Sequence, residues 1–481
     1  MSAINRVLPA AGKSRDEVFG ELAALKQHDV DWKSGRCFAY IYDPGTEAMA
    51  VGKDAFASYL TENALDPTAY PSLLELENRI VGIAASHLSG DENTVGTFTS
   101  GGTESIILAV KSARDYNRKH KPEITEPEMI LPVTAHAAFH KAAVYLGIKT
   151  VVTPVGDDYR ADVGAIAEAI TPNTVLIVGS SPSYAHGVID PIPAIGRIAE
   201  EKGLLFHVDA CVGGWLLPYF RRLGQEVPDF DFSVPGVTSM SMDLHKYAFT
   251  PKGASVVLYR DAAVRQAQFF ACAGWSGYTV VNSAVQSSKS GGPMAGAWAT
   301  MTFLGDEGYL ELARGLKEGT EKLLAGIEAI DDIDLLVQPD FCMFAFRSET
   351  VNTFHIIDEM KERRWLIQGQ FAHGNSGDNI HISLQPGNLS WVEPFLVDLA
   401  DAVKDAAKLP SGELGAMLAD MPAFSDMDPA TFAGLLAMVG VADGALPSRM
   451  APINGLLNEL PAEAKEDMLK TFFSMLFRPS T

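Results

Sequence analysis

Cysteine is scarce: Cys37, Cys211, Cys272 and Cys342 are the only four in 481 residues, and no two form a C-x-x-C pair. Such spacing offers neither a disulfide framework nor a zinc site, so no metal is called for. Reduced thiols fit a cytoplasmic location, which is the expectation here. Long apolar stretches are missing as well. No uncharged run reaches the ~18 residues of a membrane span, and "MSAINRVLPAAGKSRDEVFG" lacks a signal-peptide core. Positive charge is in deficit, with 38 Lys and Arg against 60 Asp and Glu for a net charge of −22. A chain this acidic is repelled by nucleic acid and by anionic lipid, so neither is a main partner. Low-complexity tracts and short-period repeats are absent too.

What is present is an ordinary globular composition, 47% hydrophobic, long enough for one large domain and one or two smaller ones. From about residue 94 apolar strands alternate with helical periods: "MILPVTA", "AFHKAAVYLG", "TVVTPV", "DVGAIAEAIT", "TVLIVGS", "PIPAIGRIAEEKG", "LLFHVDA". The alternation predicts an α/β fold with a mostly parallel sheet flanked by helices. In such sheets ligands bind at the carboxyl ends of the strands, where "HVDA" (207–210) and "DLHK" (243–246) fall. From about residue 306 a long helix leads into the strands "DLLVQ", "CMFAFRS" and "NIHISLQ", the pattern of a smaller α+β domain. The expected divisions are a helical and loop segment over 1–93, a large domain over 94–305, a small C-terminal domain over 306–408 and a helical extension over 409–481.

Three features carry chemistry. "VGTFTSGGTES" (95–105) runs from a strand through Ser-Gly-Gly-Thr into a helix, which offers free backbone N–H groups to an anion. The plain alternative is a tight turn. Asp209 ends an apolar strand, where a carboxylate needs a cation or hydrogen bonds; the plain alternative is a helix cap. Lys246 follows another strand end, where desolvation can lower its pKa and make it a nucleophile toward aldehydes; alternatively it pairs with Asp243. The three in order suit a cofactor with a phosphate, a basic ring nitrogen and a carbonyl carbon, the handles of pyridoxal 5′-phosphate. His136, after a further strand end in "TAHAAFHKAA", offers a flat imidazole to stack on its ring.

"TSGGTES", "TAHAAFHKAA", "SPSYAHGVIDPIP", "HVDACVGG" and "DLHKYAFTPKGASVVLY" resemble the pyridoxal-phosphate-dependent group II decarboxylase superfamily, and within it most the sphingosine-1-phosphate lyase branch. The resemblance implies fold type I, the PLP-dependent transferase-like architecture, and a homodimer with shared active sites. It makes Lys246 the Schiff-base lysine, Asp209 the partner of the ring nitrogen and His136 the stacking group. Gly102, Thr103 and His245 match the cofactor-phosphate binders. "QSSKSGG" (286–292) resembles a segment reaching in from the other subunit, with Ser288 on the same phosphate. Lys252 matches a lysine that holds the substrate's own phosphate, and Tyr184 a lyase tyrosine.

Two departures stand out. "ENALDPTAYPSL" keeps Asn63 but puts Asp66 where the lyases have a phosphate-binding histidine, and a carboxylate repels phosphate. Phe38 stands where a proton-handling tyrosine is expected, with Tyr40 as the candidate substitute. The implied activity is a carbon–carbon lyase that cleaves an amino-alcohol phosphate to an aldehyde and phosphoethanolamine, with Lys246, Tyr184 and Tyr40 handling protons. The alternative is a tyrosine-, aspartate- or glutamate-type L-amino-acid decarboxylase, in which Asn63, Asp66 and Lys252 face an amino acid instead. An aminotransferase fits less well, because "NIHISLQPGN" offers His381 but no arginine to hold a carboxylate.

Overall fold

The computed structural model describes residues 7–410 and 447–477. Helices α1 (Arg15–Leu25), α2 (Thr46–Ser58) and α3 (Pro71–His87) precede the main sheet. A capping box between Ser14 and Glu17 starts α1, although none of its residues is buried in this chain. Between α1 and α2 the buried Phe38 packs on Phe395, with ring centroids 4.6 Å apart, and on Trp365. That contact ties the N-terminal segment to the small domain.

The main sheet holds β1 (Val95–Thr99), β2 (Glu128–Pro132), β3 (Lys149–Thr153), β4 (Thr174–Ser180), β5 (Leu205–Asp209), β6 (Ser239–Met242) and β7 (Ser255–Tyr259). Its order is β1-β7-β6-β5-β4-β2-β3. All neighbours are parallel except at β7, which runs antiparallel to both β1 and β6. Helices α4 (Gly102–His120), α5 (Ala137–Leu146), α6 (Val163–Ala169), α7 (Ile192–Lys202), α8 (Leu217–Arg222) and α9 (Ala262–Gln266) complete this part. Every residue of β4 is buried, as expected of a strand covered on both faces. A ribbon of β8 (Phe270–Cys272) and β9 (Val280–Asn282) stands apart from the sheet; no predicted strand corresponds to it.

The long helix expected from about residue 306 follows directly on from another helix, across a kink. α10 runs Gly292–Glu328 and bends at Gly305, whose φ of 61° is left-handed. Only glycine takes that conformation cheaply, and with ψ at −179° the helical path breaks there into two helices. Beyond it come β10 (Asp334–Leu335), β11 (Met343–Arg347), α11 (Thr353–Glu362), β12 (Gln368–Gln370), β13 (Asn379–Ser383) and α12 (Val392–Ala406), with an antiparallel sheet in the order β10-β11-β13-β12. α13 (Ala451–Glu459) and α14 (Ala462–Leu476) follow. Asp358 caps α13 by accepting from the Met450 and Ala451 amides at 2.9 and 2.8 Å. Most of the extension expected over 409–481 lies outside the described residues. Among those described, no helix is long and apolar enough to cross a membrane.

Candidate active site

The carboxyl ends of β4, β5 and β6 meet the N-termini of α4 and α5 around a cavity of about 430 Å³, a normal size for a small-molecule site. Gly102, Thr103, His136, Tyr184, Asp209, His245 and Lys246 all line it, as do Cys211 and Asp243. Seven of the residues singled out in the sequence therefore share one space, although they span more than a hundred residues of chain.

Each is held by its own local structure. α4 opens with no side-chain cap, so its first N–H groups remain available to an anion. A Cβ on Gly102 would lie 2.8 Å from both Asp243 Oδ2 and Cys211 Sγ, so no larger residue fits there. Glu104 fixes the loop from below. It accepts from the Ser100 amide and hydroxyl at 2.7 Å, and from the Val285 amide at 2.8 Å. His136 caps α5 through Nδ1, which accepts from the Ala138 amide at 3.1 Å. Asp209 accepts from the Cys211 amide at 3.0 Å and from Ser241 Oγ at 3.3 Å. Behind it His207 is fully buried and kept neutral, its pKa pulled down to about 4 by burial. His136 is thus a helix cap, whereas the alternative of a helix cap for Asp209 does not hold, since its bond to the Cys211 amide closes a turn and the next helix begins only at Leu217; both side chains face the cavity.

Lys246 differs from expectation. Burial works to lower its pKa, but Asp243 Oδ2 lies 2.9 Å from Nζ and holds the ammonium above the usual lysine range. Burial pulls the other way on Asp243, whose carboxyl is nonetheless kept low by Lys246 and His245. The pair is an ion pair, and Lys246 is not a low-pKa amine in this state. Lys252 takes that description instead: burial and the nearby Lys246 charge lower its pKa to about 8. Its side chain is not among those lining the cavity; Nζ donates to the Tyr40 carbonyl at 3.1 Å and lies 4.7 Å above the Tyr42 ring. His245 is kept neutral-leaning by burial, and its Nδ1 accepts from the Ala254 amide at 3.2 Å.

Other predicted residues stand elsewhere. Tyr40 is 61% exposed with a left-handed φ of 65°, and it contributes its carbonyl to Lys252. Asn63 accepts from the Leu65 and Lys289 amides, while the Ala64 amide donates back to Lys289. The Asp66 carboxylate accepts from the Thr68 amide and hydroxyl at 2.8 and 2.6 Å, a turn cap that keeps its pKa low. Ser288 is exposed on the adjoining segment. Asn63, Asp66 and Ser288 thus form one group, outside the Lys246 cavity of their own chain. The pairing with Asp243, weighed as the plain alternative for Lys246, is present, whereas sequence reading passed over Tyr42 and Gln368, which accepts from the Tyr184 hydroxyl at 2.7 Å. Neither Tyr42 nor Gln368 left a signal in the local sequence.

The residues fit pyridoxal phosphate. An uncapped helix start beside a glycine cradle suits its phosphate. A buried carboxylate at a strand end suits its ring nitrogen, and a lysine suits its carbonyl carbon. Asp243 Oδ1 is buried with no hydrogen-bond partner in the structure, a further polar atom for which a ligand is still wanted. The family profile described as "Pyridoxal-dependent decarboxylase conserved domain" matches residues 1–349.

The chain belongs to that family.

A second profile, "Pyridoxal-dependent enzyme, C-terminal putative HTH domain", matches residues 412–475. An Arabidopsis thaliana sphingosine-1-phosphate lyase is 38% identical over 94% of this chain and 79% of its own length. A probable L-aspartate decarboxylase of Pyrococcus abyssi is 31% identical over 82% of this chain and 99% of its own. The solved structure of a Burkholderia pseudomallei sphingosine-1-phosphate lyase superposes with a TM-score of 0.80 at 33% identity, over 91% of this chain and 97% of that one. This family member is a pyridoxal-phosphate-dependent lyase of fold type I.

Proposed function

We propose that this enzyme cleaves the bond between Cα and the hydroxyl-bearing carbon of a phosphorylated long-chain amino alcohol, releasing a long-chain aldehyde and phosphoethanolamine. Lys252 is the observation that carries the reading. It is a cation beside the cavity-lining His245, whose carbonyl lies 3.5 Å from Nζ, tethered by the Tyr40 carbonyl and an aromatic ring, six residues beyond the cofactor lysine. A substrate phosphate suits it well. The likeness to sphingosine-1-phosphate lyases supports the same reading.

Lys246 would hold the cofactor, Asp209 its ring nitrogen, His136 its ring face, and Gly102, Thr103 and His245 its phosphate. Bound there, pyridoxal phosphate supplies an electron sink for the pair released when a bond to Cα breaks. The chain's own groups orient the substrate. Lys252 takes the phosphate, Tyr184 accepts a hydrogen bond from the substrate hydroxyl, and Lys246 receives protons once the amine is bound. Tyr184 is suited to a neutral role, since burial raises its phenol pKa. Among the described residues no arginine lines the cavity to grip an α-carboxylate. His381 does not substitute, because burial lowers its pKa to about 3 and leaves it uncharged.

The working unit in this proposal is a cytoplasmic homodimer. Asn63 and Ala64 bond to Lys289, next to the exposed Ser288, and Asp66 caps the turn that follows, all away from their own cavity, so a second copy would receive this segment. The second reading, an L-amino-acid decarboxylase, is favoured by the likeness to the P. abyssi protein. Cofactor-loaded protein is incubated with sphingosine 1-phosphate and, separately, with L-aspartate, L-glutamate and L-tyrosine, and the products are read by mass spectrometry. Phosphoethanolamine with a long-chain aldehyde is expected. Carbon dioxide with the amine of one amino acid would replace the lyase by the decarboxylase.

A further inference from the structure

Tyr184 stands on a loop of the large domain that the small domain grips. The Asp340 amide donates to the Gly187 carbonyl at 2.9 Å, and Asp340 Oδ2 accepts from the Ile189 amide at 2.7 Å. Gln370 Nε2 donates to the Ala185 carbonyl at 3.0 Å. Within this grip the Tyr184 hydroxyl donates to Gln368 Oε1 at 2.7 Å, and its ring stacks on His381 with centroids 4.5 Å apart and planes 26° apart. Gln368 and His381 are register partners on β12 and β13, so one edge of one sheet supplies both contacts. His381 is itself fixed, fully buried with Nε2 3.0 Å from Ser383 Oγ.

A phenol has one proton, and here Gln368 takes it. The Tyr184 oxygen is then left with lone pairs for the cavity that it lines. We propose that Gln368 is the positioning residue of Tyr184. It commits the phenol proton away from the cavity, so that the oxygen meets substrate as an acceptor, while His381 sets the plane of the ring. The small domain thereby controls the hydrogen-bonding sense of a group carried by the large one. This inference rests on the reading of Tyr184 as a substrate-facing residue of a lyase.

The test is a double-mutant cycle on the cofactor-loaded, full-length enzyme cleaving sphingosine 1-phosphate. Tyr184→Phe and Gln368→Leu are each expected to lower kcat by about tenfold or more, with KM within about threefold. The double variant should lose little beyond the worse single one. Gln368→Glu keeps an acceptor at the same atom and is expected to recover most of the kcat lost in Gln368→Leu. Cofactor absorbance and melting temperature should match the wild type throughout. The proposal is overturned if Gln368→Leu costs the same factor in the Tyr184→Phe background as in the wild type. It also falls if Gln368→Glu is as impaired as Gln368→Leu while both bind cofactor and melt normally. A fully active Tyr184→Phe would remove the role of Tyr184 and this inference with it. A wild type inert toward sphingosine 1-phosphate would remove the functional reading first.

Discussion

At the floor of the cavity Asp209, Asp243 and Lys246 stand at or just beyond the ends of β5 and β6, each with a fixed partner: the Cys211 amide for Asp209, and one another for the other two. Outside the cavity lining, Tyr40, Asn63, Asp66, Lys252 and Ser288 form a periphery on loops, the rim of the proposed site, and where they bond it is mostly to nearby backbone. The floor is tied to buried strands, so a change there disturbs packing and charge together. The rim can change residue at little cost to the core. In the proposed function, bond-breaking chemistry is accordingly assigned to the floor and the choice of substrate to the rim.

Three substitutions test that division, in falling order of effect. Lys246→Ala removes the cofactor's attachment point and leaves Asp243 without its cation; turnover should fall by on the order of 10³-fold or more, with loss of the bound-cofactor absorption band. Retention of the band with near-normal turnover would mean that another amine holds the cofactor. Lys252→Met should raise KM for a phosphorylated substrate by about ten- to a hundredfold and leave kcat closer to wild type, since one charge-assisted contact is lost. Lys252 is cationic below its pKa of about 8 and neutral above it. Wild-type KM should accordingly rise as pH climbs through that value, and the Met variant should show no such rise. A pH-independent wild-type KM would take the phosphate away from Lys252. The smallest effect belongs to Asp66→Asn, which preserves an acceptor for Thr68; turnover is expected to stay within about threefold of wild type. A large gain in affinity for a phosphorylated substrate would show that the carboxylate faces the ligand and repels it.

The floor was also the legible half. Alternating strand and helix patterns located β2 to β6, and strand ends marked Asp209 and Lys246, because sheet geometry puts the end of a parallel strand at the ligand crevice. What could not be read was the state of those groups. Lys246 alone suggested an amine with a lowered pKa, whereas Asp243 beside it reverses the sign. The Gln368 contact joins residues 184 positions apart and depends on how two domains meet, which no local pattern encodes. Asp66 drew attention as a charge of the wrong sign for a phosphate, while its hydrogen bonds spend it on a turn. Phe38 drew attention as a missing hydroxyl, and it is core.

The bend at Gly305 has mechanical leverage. From residue 306 to Glu328 the helix extends roughly 34 Å at about 1.5 Å per residue, so a rotation of about 10° at the bend would sweep its far end through about 6 Å. An added methyl group at Gly305 would touch nothing within 4 Å, so the backbone angle, and not crowding, is what calls for glycine there. The arm leads into the small sheet, and the sheet carries Gln368. The direction taken at one glycine is thus carried along a helix pinned by the fully buried Leu316, Leu323 and Ile327 to the sheet whose Gln368 holds Tyr184.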